Sequence, residues 1–158
     1  MRGRAHLERR DIKKAEAAYN KADALRPDYA PILLGRVKIH LRRGEFDSAE
    51  TLADRALVLA PEDAEVWYYK GEVDRLKGNV KPALQYYNKS IEYEAGHLQS
   101  RLARAAMYIE MGRPEDARQD LKLVRTIVPG DQRAAFLFAL ILANDEDVEG
   151  AQSILEKS

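Results

Sequence analysis

An alanine that recurs every 34 residues is the feature that most constrains the fold of this chain. The recurring positions are Ala15, Ala49, Ala83, Ala117 and Ala151. A glycine recurs with the same spacing at Gly44, Gly78 and Gly112. A fixed period of this length, undisturbed by insertions or deletions, is typical of an array in which copies of one unit stack on each other.

Residues 64–97 show what one unit contains. Two segments with apolar residues spaced three and four apart flank the Gly78-Asn79 dipeptide, as one face of a helix requires. The first segment has Val66, Trp67, Val73 and Leu76, and the second has Ala83, Leu84, Tyr87 and Ile91. Each unit is therefore predicted to be a helix–turn–helix whose apolar faces need neighbours. The whole chain is predicted to be all-α, with nine to ten helices that break near the recurring glycines.

The period divides the chain into one array of five units. The predicted units are residues 1–29 (partial), 30–63, 64–97, 98–131 and 132–158 (partial). In the first unit, a shortened first helix precedes a second helix over residues 12–25, which Pro27 ends. Asp63 and Asp131 are placed to cap the helices that follow them. Because both outer units are cut inside the pattern, we expect the array to belong to a longer repeat protein.

The central unit resembles the tetratricopeptide repeat (TPR) family. Trp67, Gly71, Ala83, Tyr87 and Ser90 match the family pattern W-x2-L-G-x2-Y followed by A-x3-F and A. The resemblance implies a right-handed superhelical solenoid of antiparallel helix pairs. It also implies that the first helix of each pair lines a concave groove, where ligands of this family lie.

The groove positions carry large apolar residues in four units. The first column is Leu34, Tyr68, Leu102 and Phe136. Lys38, Glu72 and Arg75 follow one or two turns further along their helices. These seven residues are the predicted binding site for a protein or peptide segment, and packing between neighbouring first helices is the alternative. The lysine–asparagine clamp of one TPR subclass is absent, so a chaperone tail is not the expected ligand.

A second column is basic where the TPR consensus has leucine. It consists of Arg36, Lys70 and Arg104. Three cations at the same repeat position predict a basic strip that binds an acidic partner or a charged polysaccharide. The alternative is that their aliphatic stems cover packed surface while the charges remain in water.

Little in the sequence indicates catalysis, a metal or a cofactor. His6, His40 and His97 share no register and no triad or zinc spacing, and the chain has no cysteine. Lys+Arg and Asp+Glu are both 26, which does not favour nucleic acid as a partner. No apolar run reaches the length of a membrane span. The prediction is a non-enzymatic protein-binding scaffold, and the alternative is a regulatory or substrate-positioning region of a larger enzyme.

Three short phrases, WYYKG, HLQSRLARAAMYIEMG and AAFLFALIL, suggest a narrower resemblance. They are similar to bacterial TPR lipoproteins encoded with exosortase/PEP-CTERM and exopolysaccharide systems. This resemblance implies a periplasmic or cell-envelope protein, with the cytoplasm as the alternative.

Residues 134–143 read AAFLFALILA and have no polar face. At about 15 Å such a helix is too short to span a bilayer of about 30 Å. The preceding unit and the helix that follows can cover only two of its sides, so Phe136, Phe138, Leu140 and Leu142 are the residues from which an exposed patch would form. Exposed apolar patches mark interaction sites, so this helix predicts a homodimer.

Overall fold

A computed structural model describes residues 2–145 and 147–157, and within them the side chains of residues 2–10 and Val148 are not described. The described residues form nine α-helices and no strand. The helices are α1 (Arg2–Leu25), α2 (Ala30–Arg43), α3 (Phe46–Leu59), α4 (Ala64–Lys77), α5 (Val80–Tyr93), α6 (Leu98–Glu110), α7 (Pro114–Ile127), α8 (Gln132–Asn144) and α9 (Val148–Glu156). The all-α prediction is confirmed.

The helices stack in consecutive pairs. The closest packing is within α2–α3, α4–α5, α6–α7 and α8–α9, and each pair then packs on the next. α2 also contacts α4, and α6 contacts α8, so the first helices of successive pairs form a row. The recurring alanines Ala49, Ala83 and Ala117 are fully buried between the helices. Small side chains at these positions let the second helix of each pair approach its neighbours closely.

Three glycines end the first helices of their pairs as predicted. Gly44, Gly78 and Gly112 have φ angles of 72°, 83° and 69°, in the left-handed region that glycine occupies without a steric penalty. The predicted caps are also present. Asp63 accepts a hydrogen bond from the Glu65 amide at 2.8 Å, and Asp131 accepts one from the Ala134 amide at 2.9 Å.

Replacing Gly78 by valine is expected to lower the free energy of unfolding by about 1 kcal/mol or more, because a β-branched residue is strained at positive φ. Thermal unfolding followed by circular dichroism measures the effect. Gly130→Val is the matched control, since a Cβ at Gly130 also meets no atom within 4 Å but its φ is not positive. Equal melting temperatures for the two variants would contradict the prediction.

The first unit differs from the sequence prediction. A shortened helix, a turn and a second helix over residues 12–25 were expected, but α1 is one continuous helix from Arg2 to Leu25. The position 34 residues before Gly44 is Arg10. An arginine does not favour the left-handed conformation that ends the other first helices, so the helix continues through it. The predicted end before Pro27 is confirmed.

A close contact fixes α4 against α5. A Cβ added to Gly71 would lie 2.5 Å from the ring of Tyr87, and one added to Gly35 would lie 2.2 Å from the ring of Tyr19. Glycine at these two positions therefore lets a tyrosine of another helix lie against the helix backbone. Tyr87 is fully buried in this way, and it holds the helix that carries Tyr68, Glu72 and Arg75.

Candidate functional site

The first helices of three successive pairs, α4, α6 and α8, line a cavity of about 450 Å³, called here the groove pocket. Five of the seven predicted groove residues line it together. They are Tyr68, Glu72, Arg75, Leu102 and Phe136. Residues that lie 34 apart or nearly so in sequence are therefore brought to one cavity by the stacking of the repeats.

Tyr68 is the centre of an aromatic cluster beside the pocket. Its ring lies 4.9 Å from the ring of Tyr69, 6.1 Å from Tyr87 and 5.6 Å from His97, measured between centroids. Burial, together with the negative charge of Glu72, raises the pKa of the Tyr68 phenol. The phenol therefore stays neutral at physiological pH, and of the four rings only that of Tyr68 lines the groove pocket.

Glu72 and Arg75 form a fixed polar edge. Two guanidinium nitrogens of Arg75 donate to the two carboxylate oxygens of Glu72 at 3.0 and 2.9 Å. The hydroxyl of Tyr87 also donates to Glu72, at 2.5 Å. The hydrogen bond with Glu72 raises the pKa of Arg75, so the guanidinium group stays positively charged beside the carboxylate. This edge can orient a ligand by hydrogen bonds without adding net charge.

Leu102 and Phe136 occupy the same repeat position with different exposure. Leu102 is 6% exposed and packs in a core cluster with residues of α7 and α8, so only its edge reaches the pocket. Phe136 is 55% exposed. Phe136 therefore offers apolar surface to a partner, whereas Leu102 holds the pocket wall in place.

The structure places the other two predicted groove residues outside the pocket. Leu34 is buried in a cluster with Leu33, Ala56 and Val66. Lys38 is exposed, and its Nζ lies 3.0 Å from Glu65 Oε1 and 4.9 Å from the centre of the Tyr69 ring.

Several residues that line the groove pocket were not predicted. They are Gln99, Ala103, Ala106, Met107, Glu110, Gln132, Arg133 and Leu137. On α6, Gln99, Ala103, Ala106 and Glu110 follow each other at intervals of four, three and four residues, which places them on one helix face. Extending the column of Leu102 and Phe136 by one helical turn in both directions would have found Gln99, Ala106, Gln132 and Arg133.

The three residues of the predicted basic strip have acidic partners within the chain. Arg36 pairs with Asp23 at 3.0 Å, and the buried ammonium group of Lys70 pairs with Asp54. Arg104 donates to both carboxylate oxygens of Asp120 at 2.7 Å, and to Asn88 at 2.7 Å. These contacts join each first helix to second helices beside it. The three residues are not lining residues of the groove pocket.

The C-terminal apolar segment is divided between core and surface. Phe138 is buried in the core cluster of α6, α7 and α8, and Leu142 is half-buried. Phe136 and Leu140 are exposed. Two of the four residues that were predicted to form an exposed patch are therefore exposed.

The histidines do not come together. The side chain of His6 lies outside the described residues, His40 bonds to Glu45 at 2.5 Å, and His97 bonds to Ser100 at 2.9 Å. Among the described residues, no group of three or more His, Cys, Asp or Glu side chains has a geometry that could hold a metal ion. No helix in this part of the chain is long and apolar enough to cross a membrane.

A stack of helix pairs whose first helices share one apolar-walled cavity defines a helical-repeat scaffold of the kind that binds proteins. A sequence model described as "Tetratricopeptide repeat" matches residues 6–72. A second, described as "Anaphase-promoting complex, cyclosome, subunit 3", matches residues 42–124. The chain belongs to the tetratricopeptide repeat family.

Solved structures show the same fold. The crystal structure of MamA is similar with a TM-score of 0.75, at 20% identity, covering 96% of this chain and 88% of that one. YrrB, described as a TPR protein with an unusual peptide-binding site, gives a TM-score of 0.67 at 22% identity, covering 96% and 78%. At these identities the likeness concerns the fold.

One curated relative is an enzyme. The UDP-N-acetylglucosamine–peptide N-acetylglucosaminyltransferase of Giardia intestinalis is 35% identical over 94 residues, which are 57% of this chain. The chain spans only 6% of the length of that relative.

Proposed function

We propose that this chain is a non-enzymatic scaffold that binds a segment of a partner protein in the groove pocket. The observation that carries the proposal is the exposed Phe136, which lines a cavity of about 450 Å³ together with Tyr68 and Leu102. Cavities of roughly 300–1,000 Å³ with apolar walls and a few fixed polar groups are typical of binding sites. The peptide-binding site named for YrrB, which has the same fold, supports a peptide as the occupant.

The geometry favours one apolar side chain as the anchor of the bound segment. The apolar walls are Tyr68, Leu102, Met107 and Phe136, and Glu72 and Arg75 at the polar edge are paired with each other. An apolar anchor loses little solvation on entering such a cavity, and buried aromatic contacts carry most of the energy in many interfaces.

Tyr68→Ala is expected to weaken peptide binding about tenfold or more, because a central aromatic residue of a binding site is typically worth about 2 kcal/mol. The ligand is a dodecapeptide selected from a random display library, and its affinity is measured by fluorescence polarisation. Tyr29→Ala is the control, since Tyr29 is an exposed tyrosine that lies outside the pocket. Equal affinities for both variants, with helicity retained, would place the binding site elsewhere.

We also propose that the scaffold works in a bacterial cell envelope, within an exopolysaccharide or exosortase-linked assembly. The similarity of three sequence phrases to lipoproteins of those systems supports this setting. Fractionation of cells that express the native gene tests it, and recovery only with cytosolic proteins would contradict it.

We further propose that two copies pair through the C-terminal helices. Leu155 is 49% exposed, whereas Ala53, Tyr87 and Leu121, at the same repeat position, are fully buried. At Leu121 the cover comes from Ala134 and Phe138 of the next pair, and the described residues place no further helix over Leu155. A second copy can cover this surface by a two-fold contact.

Leu155→Glu is expected to convert a dimer into a monomer, because a charge on a small apolar interface opposes burial. Light scattering at micromolar concentration should give a mass of about twice 17.9 kDa for the unaltered chain. Val58→Glu, at an exposed valine of α3, should leave the dimer intact. A monomer for the unaltered chain would overturn the proposal.

A further inference from the structure

A second cavity, of about 340 Å³, lies directly beside the groove pocket and is called here the acidic pocket. Tyr68 and Gln99 line both cavities, so an elongated ligand can enter both. The other residues that line the acidic pocket are Asp63, Glu65, Tyr69, Glu94 and His97.

The acidic pocket contains negative charge that the chain does not neutralise. Glu65 pairs with Lys38 at its edge, but the described residues place no basic side chain within ion-pair distance of Asp63 or Glu94. Asp63 is fixed by its hydrogen bond from the Glu65 amide. Two of the three carboxylates therefore lack a cation.

His97 gives a second, independent indication of a ligand. The residue is buried, at 8% exposure, and it lines this cavity. Nδ1 is engaged with Ser100 at 2.9 Å, in a chain of hydrogen bonds that continues through Ser90 to the carbonyl of Ala64. The other ring nitrogen, Nε2, has no partner among the described residues. Burial lowers the pKa of His97, so the ring is neutral at physiological pH and does not repel a cation.

The chain itself shows which ligand chemistry the wall accepts. Lys38 holds its ammonium group 3.0 Å from Glu65 Oε1 and 4.9 Å from the centre of the Tyr69 ring. A carboxylate combined with a tyrosine face is a favourable environment for a lysine or arginine head group. Tyr68 and Glu94 line the same cavity, and none of the described residues that line it is a lysine or an arginine.

We propose that the acidic pocket binds a lysine or arginine side chain of the same partner segment whose apolar side chain fills the groove pocket. This inference rests on the proposed function and specifies it: the partner segment carries a basic residue close to its apolar anchor. The Tyr68 ring separates the two side chains, and Gln99 offers an amide to the backbone between them.

The test uses N-acetyl-arginine methylamide as the probe and N-acetyl-citrulline methylamide as its uncharged isostere, titrated into the ¹⁵N-labelled chain and followed by NMR. The arginine probe should shift the amide signals of Tyr69, His97 and Gln99, and bind about fivefold more tightly than citrulline, because charge-assisted hydrogen bonds are stronger than neutral ones. Equal affinities, or shifts confined to other parts of the chain, would overturn the proposal.

Three variants separate this site from general electrostatic attraction. Glu94→Gln should weaken the arginine probe about threefold, as the loss of one partly exposed charge pair does. Glu92→Gln, the matched loss of charge outside the pocket, should leave the affinity unchanged. Lys38→Met should tighten binding, because it frees Glu65 from its internal cation. No effect of Glu94→Gln, or weaker binding to Lys38→Met, would contradict the proposal.

The library peptides distinguish failure here from failure of the proposed function. Selected peptides that need Phe136, which lines only the groove pocket, but show no enrichment of arginine or lysine would overturn the acidic-pocket assignment alone. An arginine probe that binds at His97, with no peptide that depends on Phe136, would support the acidic pocket and contradict the peptide-binding groove.

Discussion

Asp120→Ala is expected to lower the free energy of unfolding by about 3–5 kcal/mol, the range found when one partner of a buried ion pair is removed. Asp120 of α7 is only 1% exposed, and it accepts hydrogen bonds at 2.7 Å from Arg101 and Arg104 of α6. Both guanidinium groups are mostly buried. Without the carboxylate, two positive charges would lie close together in a poorly solvated site.

Urea unfolding followed by circular dichroism measures this effect. The stability of Asp120→Asn should lie between that of the unaltered chain and that of Asp120→Ala, because the amide keeps one acceptor oxygen but not the charge. Asp47→Ala is the surface control: Asp47 also pairs with a cation, Lys77, but its side chain is 96% exposed, so the loss should stay below about 1 kcal/mol. Similar losses for Asp120→Ala and Asp47→Ala would show that burial does not strengthen the α6–α7 ion pairs.

The features that could be predicted from the sequence are those set by local chemistry. Gly44, Gly78 and Gly112 recur where each predicted first helix ends, and glycine permits the positive φ found there. The cap at Asp63 follows from a short carboxylate before a helix. Because the period is constant, a local feature found in one unit is expected at the equivalent position of the others. The continuous α1 follows the same logic, because Arg10 provides no signal for a turn.

The burial of the residues in the first column could not be predicted from their repeat position. Leu34, Leu102 and Phe136 are equivalent in sequence, yet the first two are buried and the third is exposed. Exposure at this position depends on which helices pack over it. The acidic partners of Arg36, Lys70 and Arg104 were also missed, since they lie on other helices at separations of 13 to 16 residues. The acidic pocket is formed by two turns together with the beginnings of α4 and α6, which a search along single helix faces does not examine.

Leu102→Glu and Phe136→Glu make the same change at two equivalent repeat positions. Leu102→Glu is expected to reduce stability more, and Phe136→Glu is expected to reduce peptide binding more. Leu102 lies in the core cluster with Leu121 and Val124, so Leu102→Glu should lower the free energy of unfolding by about 3 kcal/mol or more, through lost burial and a poorly solvated carboxylate. Phe136 is more than half exposed, and Phe136→Glu should cost less than about 1 kcal/mol.

The order of the two variants should be reversed when peptide affinity is measured in place of stability. Under conditions where both are folded, Phe136→Glu should weaken the selected dodecapeptide about tenfold or more, because a carboxylate replaces an apolar wall of the groove pocket. Urea unfolding and fluorescence polarisation on the same preparations give both quantities. Leu102→Glu should weaken the peptide less than Phe136→Glu does once the folded fraction is taken into account, since only the edge of Leu102 reaches the pocket. If Phe136→Glu bound the peptide as tightly as the unaltered chain, the exposed ring of α8 would not be part of the binding site, and the groove would have to be assigned to α4 and α6 alone.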